Sequence, residues 1–117
     1  MKRVAIPVAN DKLSEHFGAC SYYAIFEIDG ENMERKSFEL PVLTNINELP
    51  DWLEKQGISD VITHRVKKEI ISLFATKKVN LFVGVPLSTP QNLIDNYLNG
   101  KLESDKNIIQ EITNLNI

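Results

Sequence analysis

Hydrophobic and polar positions along this 117-residue chain repeat first with the period of strands, then with strand and helix periods in turn. Residues 3–8, RVAIPV, are an apolar run of strand length, and Asn10-Asp11 are turn formers that end it. Residues 22–28, YYAIFEI, are rich in aromatic and β-branched side chains and predict a second strand. Asp29-Gly30-Glu31-Asn32 is a turn pattern feeding a third strand at 33–40, so the three are expected as antiparallel neighbours. Over 45–56 the period changes: Ile46, Leu49, Trp52, Leu53 and Gln56 follow helical spacing. Asn47 is placed to cap that helix, Pro50 is tolerated in a first turn, and Gly57 stops it.

The rest of the chain reads as strand, helix, strand, helix. Residues 58–63, ISDVIT, are a β-branched run of the kind found in buried parallel strands. Val66, Ile70, Ile71 and Phe74 predict a helix over 66–78, and 79–85, VNLFVGV, a fifth strand closed by Pro86. Thr89-Pro90 supplies an N-cap and a first-turn proline for a helix whose apolar stripe is Leu93, Ile94, Tyr97 and Leu98, with Gly100 as its stop. An α/β domain follows: a five-stranded mixed sheet of order 3-2-1-4-5 with flanking helices. Residues 103–117 are expected as a C-terminal extension. Ile108, Ile109, Ile112 and Leu115 allow it an amphipathic helix docked on the domain or on another subunit, while its Asn and Asp content favours fraying.

This order places a ligand crevice beyond the carboxyl ends of strands one and four. The loop after strand one opens there and carries His16, Phe17, Gly18 and Cys20. Phe17 is suited to anchor the loop in the core, Gly18 lets the backbone bend, and His16 and Cys20 are nitrogen and sulfur ligands able to hold a metal or cluster. The plainer alternative is a solvated loop histidine and a small buried hydrophobe, as lone cysteines often are. Thr63-His64-Arg65 opens into the same crevice, so His64 is a candidate third ligand, or else an exposed residue at a helix start. Arg65, Lys67 and Lys68 would attract an anionic cofactor, or simply form a solvated face.

Asp11-Lys12-Leu13-Ser14-Glu15-His16-Phe17-Gly18, between an AIPV strand and the aromatic strand Tyr22-Tyr23-Ala24-Ile25-Phe26-Glu27-Ile28, resembles the dinitrogenase iron-molybdenum cofactor biosynthesis family. The likeness runs over residues 1–102, closing at Tyr97-Leu98-Asn99-Gly100-Lys101-Leu102, and so implies a cofactor-carrier domain there. It implies a ribonuclease-H-like fold, a metal cluster as cargo of the iron-sulfur or iron-molybdenum type, and a cluster-holding role for His16. The chain departs from the family after the fourth strand, where Ile62-Thr63-His64-Arg65-Val66-Lys67-Lys68 replaces a glycine-rich segment.

Composition narrows the alternatives. The length suits one domain with a core of its own, and no run approaches the roughly 18 apolar residues of a membrane helix. MKRVAIPVAND lacks the apolar stretch of a signal peptide, and one cysteine precludes an internal disulfide, so a cytoplasmic location is expected. A net charge of −3 and a pI near 5.4 argue against nucleic acid as a partner. A two-metal nuclease needs clustered carboxylates on the first strand, yet residues 4–8 contain no acid. A carrier or chaperone for a metal cluster, rather than an enzyme, is the leading expectation, with a protein partner or a homodimer left open. The alternatives are an interaction module without cofactor and, last, an enzyme with a Cys20 nucleophile assisted by His16 or His64.

Overall fold

The structure, a computed structural model, describes residues 2–39 and 46–114. Leu40, Asn45 and Leu115, which the sequence pattern assigns to the third strand, the first helix and the tail, lie outside the described residues. Strand β1 (Lys2–Ala9) is followed by the short β2 (Lys12–Leu13), then by β3 (Tyr22–Asp29) and β4 (Asn32–Glu39). A 3₁₀ turn at Ile46–Glu48 leads into α1 (Leu49–Lys55), and β5 (Asp60–Ile62), α2 (Lys68–Ala75), β6 (Asn80–Phe82), α3 (Pro90–Leu98) and α4 (Lys106–Asn114) complete the order.

The described strands form one mixed sheet of six rather than the expected five. Its order is β4-β3-β1-β5-β6, with β2 paired to β1 off this path, so the expected numbering 3-2-1-4-5 does not carry over. The added strand arises at Asn10-Asp11. Both residues adopt positive φ, 54° and 64°, the pattern of a two-residue primed turn, and Ala9 pairs with Lys12 across it. These turn formers therefore fold the chain back on β1 instead of merely ending it. β1 runs antiparallel to β3 and parallel to β5, and β5 parallel to β6.

Alternation along the central strands divides the core into two layers. Ala5, Tyr23 and Ile25 face a cluster with Leu49 and Leu53 of α1, Ile70 and Phe74 of α2, and Ile112 of α4. Val4, Ile6, Val8, Ala24 and Phe26 face the opposite cluster, closed by Leu93 and Ile94 of α3. Helices thus cover both faces, which is why β1 and β3 read as continuous apolar runs.

Three boundaries differ from expectation for physical reasons. α1 starts at Leu49 with Glu48 as its N-cap, because the 3₁₀ turn takes up Asn47. Gly57 follows α1 at φ 77°, the left-handed position that ends helices. α2 starts at Lys68 rather than residue 66, because Lys67 is extended and Val66 is buried in the core ahead of the helix. Thr89 caps α3 as expected, its hydroxyl oxygen accepting from Asn92 N at 3.3 Å.

At the amino end of β5, Asp60 is only 2% exposed. Its carboxylate accepts from Ser59 Oγ at 2.8 Å, Asn80 Nδ2 at 3.0 Å and the Tyr97 hydroxyl at 2.9 Å. Burial and this carboxylate push the Tyr97 hydroxyl up to about 12. The network ties α3 to the sheet at the end away from the His16 loop. No helix among the described residues is long and apolar enough to cross a membrane.

Candidate functional site

The His16 loop is built from both sides. Ser14 is buried; its N–H donates to Pro7 O at 2.8 Å and its hydroxyl to His16 O at 2.9 Å. Phe17, 6% exposed, packs edge-on against Phe74 with ring centroids 5.8 Å apart and tilts against Tyr23 at 6.5 Å. Gly18 follows at φ 95°, and a side chain there would collide with Ile46. Opposite the loop, Arg65 N–H donates to Glu15 O at 2.9 Å and Arg65 O accepts from Phe17 N at 2.8 Å. His16 and Arg65 thereby form a parallel bridge, one further rung beyond the carboxyl ends of β1 and β5. The backbone of His16 is fixed while its side chain stays exposed.

His16 borders two clefts. The larger, about 710 Å³, is walled by Phe17, Ile46, Val66 and Ile112, with Arg65 and Lys68 on its polar side. The smaller, about 330 Å³, lies along the β1–β2 hairpin, between Lys12, Ser14 and Leu87. Arg65 Nη2 stands 3.4 Å from Glu111 Oε2 on α4. Among the described residues, Lys67 and Lys68 have no acidic partner, although Glu69 lines the same cleft. The approach to the larger cleft is therefore cationic.

Cys20 and His64 are placed differently. Cys20 is half-buried against the apolar cluster of α1 and α2. Burial pushes its thiol up, offset only in part by the neighbouring Tyr23 hydroxyl. Among the described residues the fully buried Tyr23 hydroxyl finds no well-formed hydrogen bond, and its own proton is held more tightly, first by burial and then by Cys20. A thiol held in its protonated form is a poor ligand and a poor nucleophile. His64 directs Nδ1 to Val85 O at 2.9 Å; a carbonyl only accepts, so Nδ1 carries the hydrogen. Neither residue lines the two clefts that His16 borders. Among the described residues, no group of three or more His, Cys, Asp and Glu side chains is disposed to hold a metal ion. Of the three expected ligands, His16 alone borders these clefts, while His64 is turned to a backbone carbonyl and Cys20 packs against the core.

Sequence reasoning missed two contributors, Glu111 and Ile112. The helical spacing of Ile108, Ile109 and Ile112 marks an apolar face but says nothing of where that face docks.

A mixed sheet covered by helices, with an exposed histidine on the loop after its first strand and a cationic cleft beside it, defines a small α/β domain with a candidate site at the carboxyl ends of its central strands. The chain belongs to the dinitrogenase iron-molybdenum cofactor family, whose sequence model matches residues 1–100. Among its relatives is the uncharacterised protein MJ0580 of Methanocaldococcus jannaschii, 27% identical over 110 residues, 88% of this chain and 91% of that one. The crystal structure of PH0822 superposes with a TM-score of 0.77 at 27% identity, covering 89% of this chain and 96% of that one. The apo form of the orange protein from Desulfovibrio gigas gives a TM-score of 0.72 at 15% identity, over 91% and 94% of the two chains, a likeness of fold alone.

Proposed function

We propose that this protein is a carrier or chaperone for a metal-sulfur cluster of the iron-sulfur or iron-molybdenum type, and that it binds its cargo without catalysing a reaction on it. The observation that carries this reading is His16, exposed on a loop anchored by Phe17 and pinned by the Arg65 backbone, at the rim of a cationic cleft. A cluster brings its own sulfides and must be released again, so it calls for few protein ligands. One exposed imidazole on a fixed backbone offers a coordinating nitrogen, and Arg65, Lys67 and Lys68 offset the negative charge of sulfide. Membership of a family named for the iron-molybdenum cofactor supports the same cargo class. In this reading Phe17 and Gly18 shape the loop, and Cys20 and His64 join only if the loop rearranges around the cargo. A ribonuclease-H-like arrangement over 1–102 with a C-terminal extension at 103–117 remains the architecture we assign to it.

Anaerobic reconstitution with iron and sulfide, and separately with isolated iron-molybdenum cofactor, tests the reading. Retained metal and visible absorption are compared across wild type, His16→Ala and Cys20→Ser. Stoichiometric retention that collapses in His16→Ala is the expected result, with Cys20→Ser losing less. Retention that ignores His16 refutes the assignment of the site.

A second reading, an interaction module without cofactor, draws on β4. Among the described residues that strand is paired only to β3; it is exposed at every residue but Phe38 and carries Met33 at 40% exposure. Partner binding or dimerisation that is lost on charge reversal in β4, and unaffected by His16→Ala, favours it.

A further inference from the structure

The C-terminal helix α4 lies outside residues 1–100, the stretch matched by the family, yet it forms part of the wall of the His16 cleft. Its position is set by close contacts. Asp105 N–H donates to Val83 O at 2.7 Å, and Ser104 Oγ accepts from Val83 N at 3.0 Å. The Asp105 carboxylate caps the first turn, accepting from Asn107 N at 2.8 Å and from Ile108 N at 3.3 Å. Gly84 lets the segment approach: a Cβ at residue 84 would lie 2.6 Å from Asp105 Cβ and 3.1 Å from Ile108 Cβ. Ile112, 5% exposed, then reaches both the core and the cleft. Glu111, its neighbour in sequence, is thereby carried to the Arg65 guanidinium.

We propose that Glu111 is a built-in competitor for the cargo of this cleft, holding Arg65 while the cleft is empty and yielding it to an anionic cluster on entry. The inference rests on the cargo reading above and adds to it the means by which affinity is kept low enough for release. Arg65 is suited to the exchange because its backbone, not its side chain, braces the His16 loop. Its side chain is a third exposed and is free to change partner. Glu111 is 60% exposed, so when displaced it returns to water without leaving a buried charge behind. An exposed pair of this kind contributes little by itself. That suits a competitor, which must be strong enough to bias binding and weak enough to be displaced.

The test uses the full chain and, as probe, a synthetic thiolate-ligated iron-sulfur cubane dianion, titrated anaerobically by visible absorption. Wild type, Glu111→Gln, Arg65→Gln, the double variant and His16→Ala are compared at low and high salt. Glu111→Gln should bind about two- to five-fold tighter than wild type, the range that an exposed ion pair commands. Arg65→Gln should bind more weakly, and Glu111→Gln should have no further effect in its background. Equal affinity of wild type and Glu111→Gln, with binding lost in His16→Ala, overturns the competitor and leaves the carrier reading standing. Tightening by Glu111→Gln that persists in the Arg65→Gln background also overturns it, since a general charge effect would then suffice. If His16→Ala binds like wild type while Glu111→Gln tightens, the His16 assignment falls and the competitor stands. Absence of binding by every form overturns both.

Discussion

Phe17 couples the candidate site to the core, so its removal tests whether the loop is held as the structure implies. The ring is 6% exposed, meets Phe74 edge-on at 5.8 Å and Tyr23 at 6.5 Å, and belongs to the cluster shared by α1, α2 and α4. Removing most of its buried side chain forfeits about 1.5–3 kcal/mol of transfer free energy. The two aromatic contacts add about 0.5–1.5 kcal/mol each, and the cavity left among Tyr23, Phe74 and Val66 does not close fully. Phe17→Ala should therefore lose about 3–5 kcal/mol, a large share of the roughly 5–15 kcal/mol of a typical domain. Phe17→Leu should lose well under half of that, since it refills most of the volume. Urea unfolding followed by Trp52 fluorescence measures both, and equal slopes for the two variants would confirm that only stability has changed. A loss below about 1 kcal/mol for Phe17→Ala would refute the anchor, because no buried ring of this size can be removed so cheaply. The loop's backbone bonds to Arg65 remain in either variant. Under conditions where Phe17→Ala is still folded, slower amide exchange at Phe17 than in the preceding residues would show that the rung outlasts the anchor.

Three further outcomes are expected. Gly18→Ala places a methyl against Ile46 at φ 95° and should cost about 1–3 kcal/mol in urea unfolding, and wild-type stability would show that the loop refolds around it. The proton-bearing forms of Cys20, Tyr23 and Tyr97 are all favoured by folding, so their contribution to stability is complete below the ordinary thiol value of 9.0 and declines as pH rises above it. The Tyr97 share is lost between its ordinary value of 10.0 and about 12; Tyr97→Phe should flatten that part of a pH-stability profile, and an unchanged profile would refute its link to Asp60. Asp60→Ala leaves Ser59, Asn80 and Tyr97 without their shared acceptor and should cost at least about 2 kcal/mol by thermal unfolding, while leaving cluster retention by the folded protein intact.

How far the site can be read from the chain depends on whether its parts are local. His16 and Phe17 are adjacent, and a histidine beside a large apolar residue on a loop after a strand already suggests an exposed ligand with an anchor. The approach of the Arg65 segment follows from topology, because β1 and β5 are parallel neighbours and their outgoing loops must run side by side. Cys20 is the counterexample. Spacing on a helix fixes a direction, but four residues on a loop do not, and the chain here turns Cys20 inward beside Tyr23. The start of α2 fails for a related reason. Val66 has helical spacing with Ile70, but the rung to His16 requires extended backbone just before it, and that tertiary demand outweighs local periodicity. Asn10-Asp11 carried the signal for β2 in their tolerance of positive φ, which distinguishes a hairpin from a simple stop.

The wall supplied by α4 is the least legible part, and the cause is a residue that carries no hydrophobic signal. Amphipathic spacing at Ile108, Ile109 and Ile112 indicates a helix with one apolar face, which could dock on any exposed apolar surface. Gly84 narrows the choice by leaving room for Asp105 and Ile108 at the end of β6, and from there the helix pitch alone carries Glu111 to Arg65 and Ile112 to the cleft. Gly84→Ala is then a perturbation of the site made without touching it. At φ 82°, with Asp105 Cβ 2.6 Å from the new methyl, the segment must move, and the Arg65–Glu111 pair should be lost while the sheet stays paired. Faster amide exchange confined to α4, with β1 and β3 unchanged, is the expected result; uniform loosening of the whole domain would mean that α4 belongs to the core as much as α1 does.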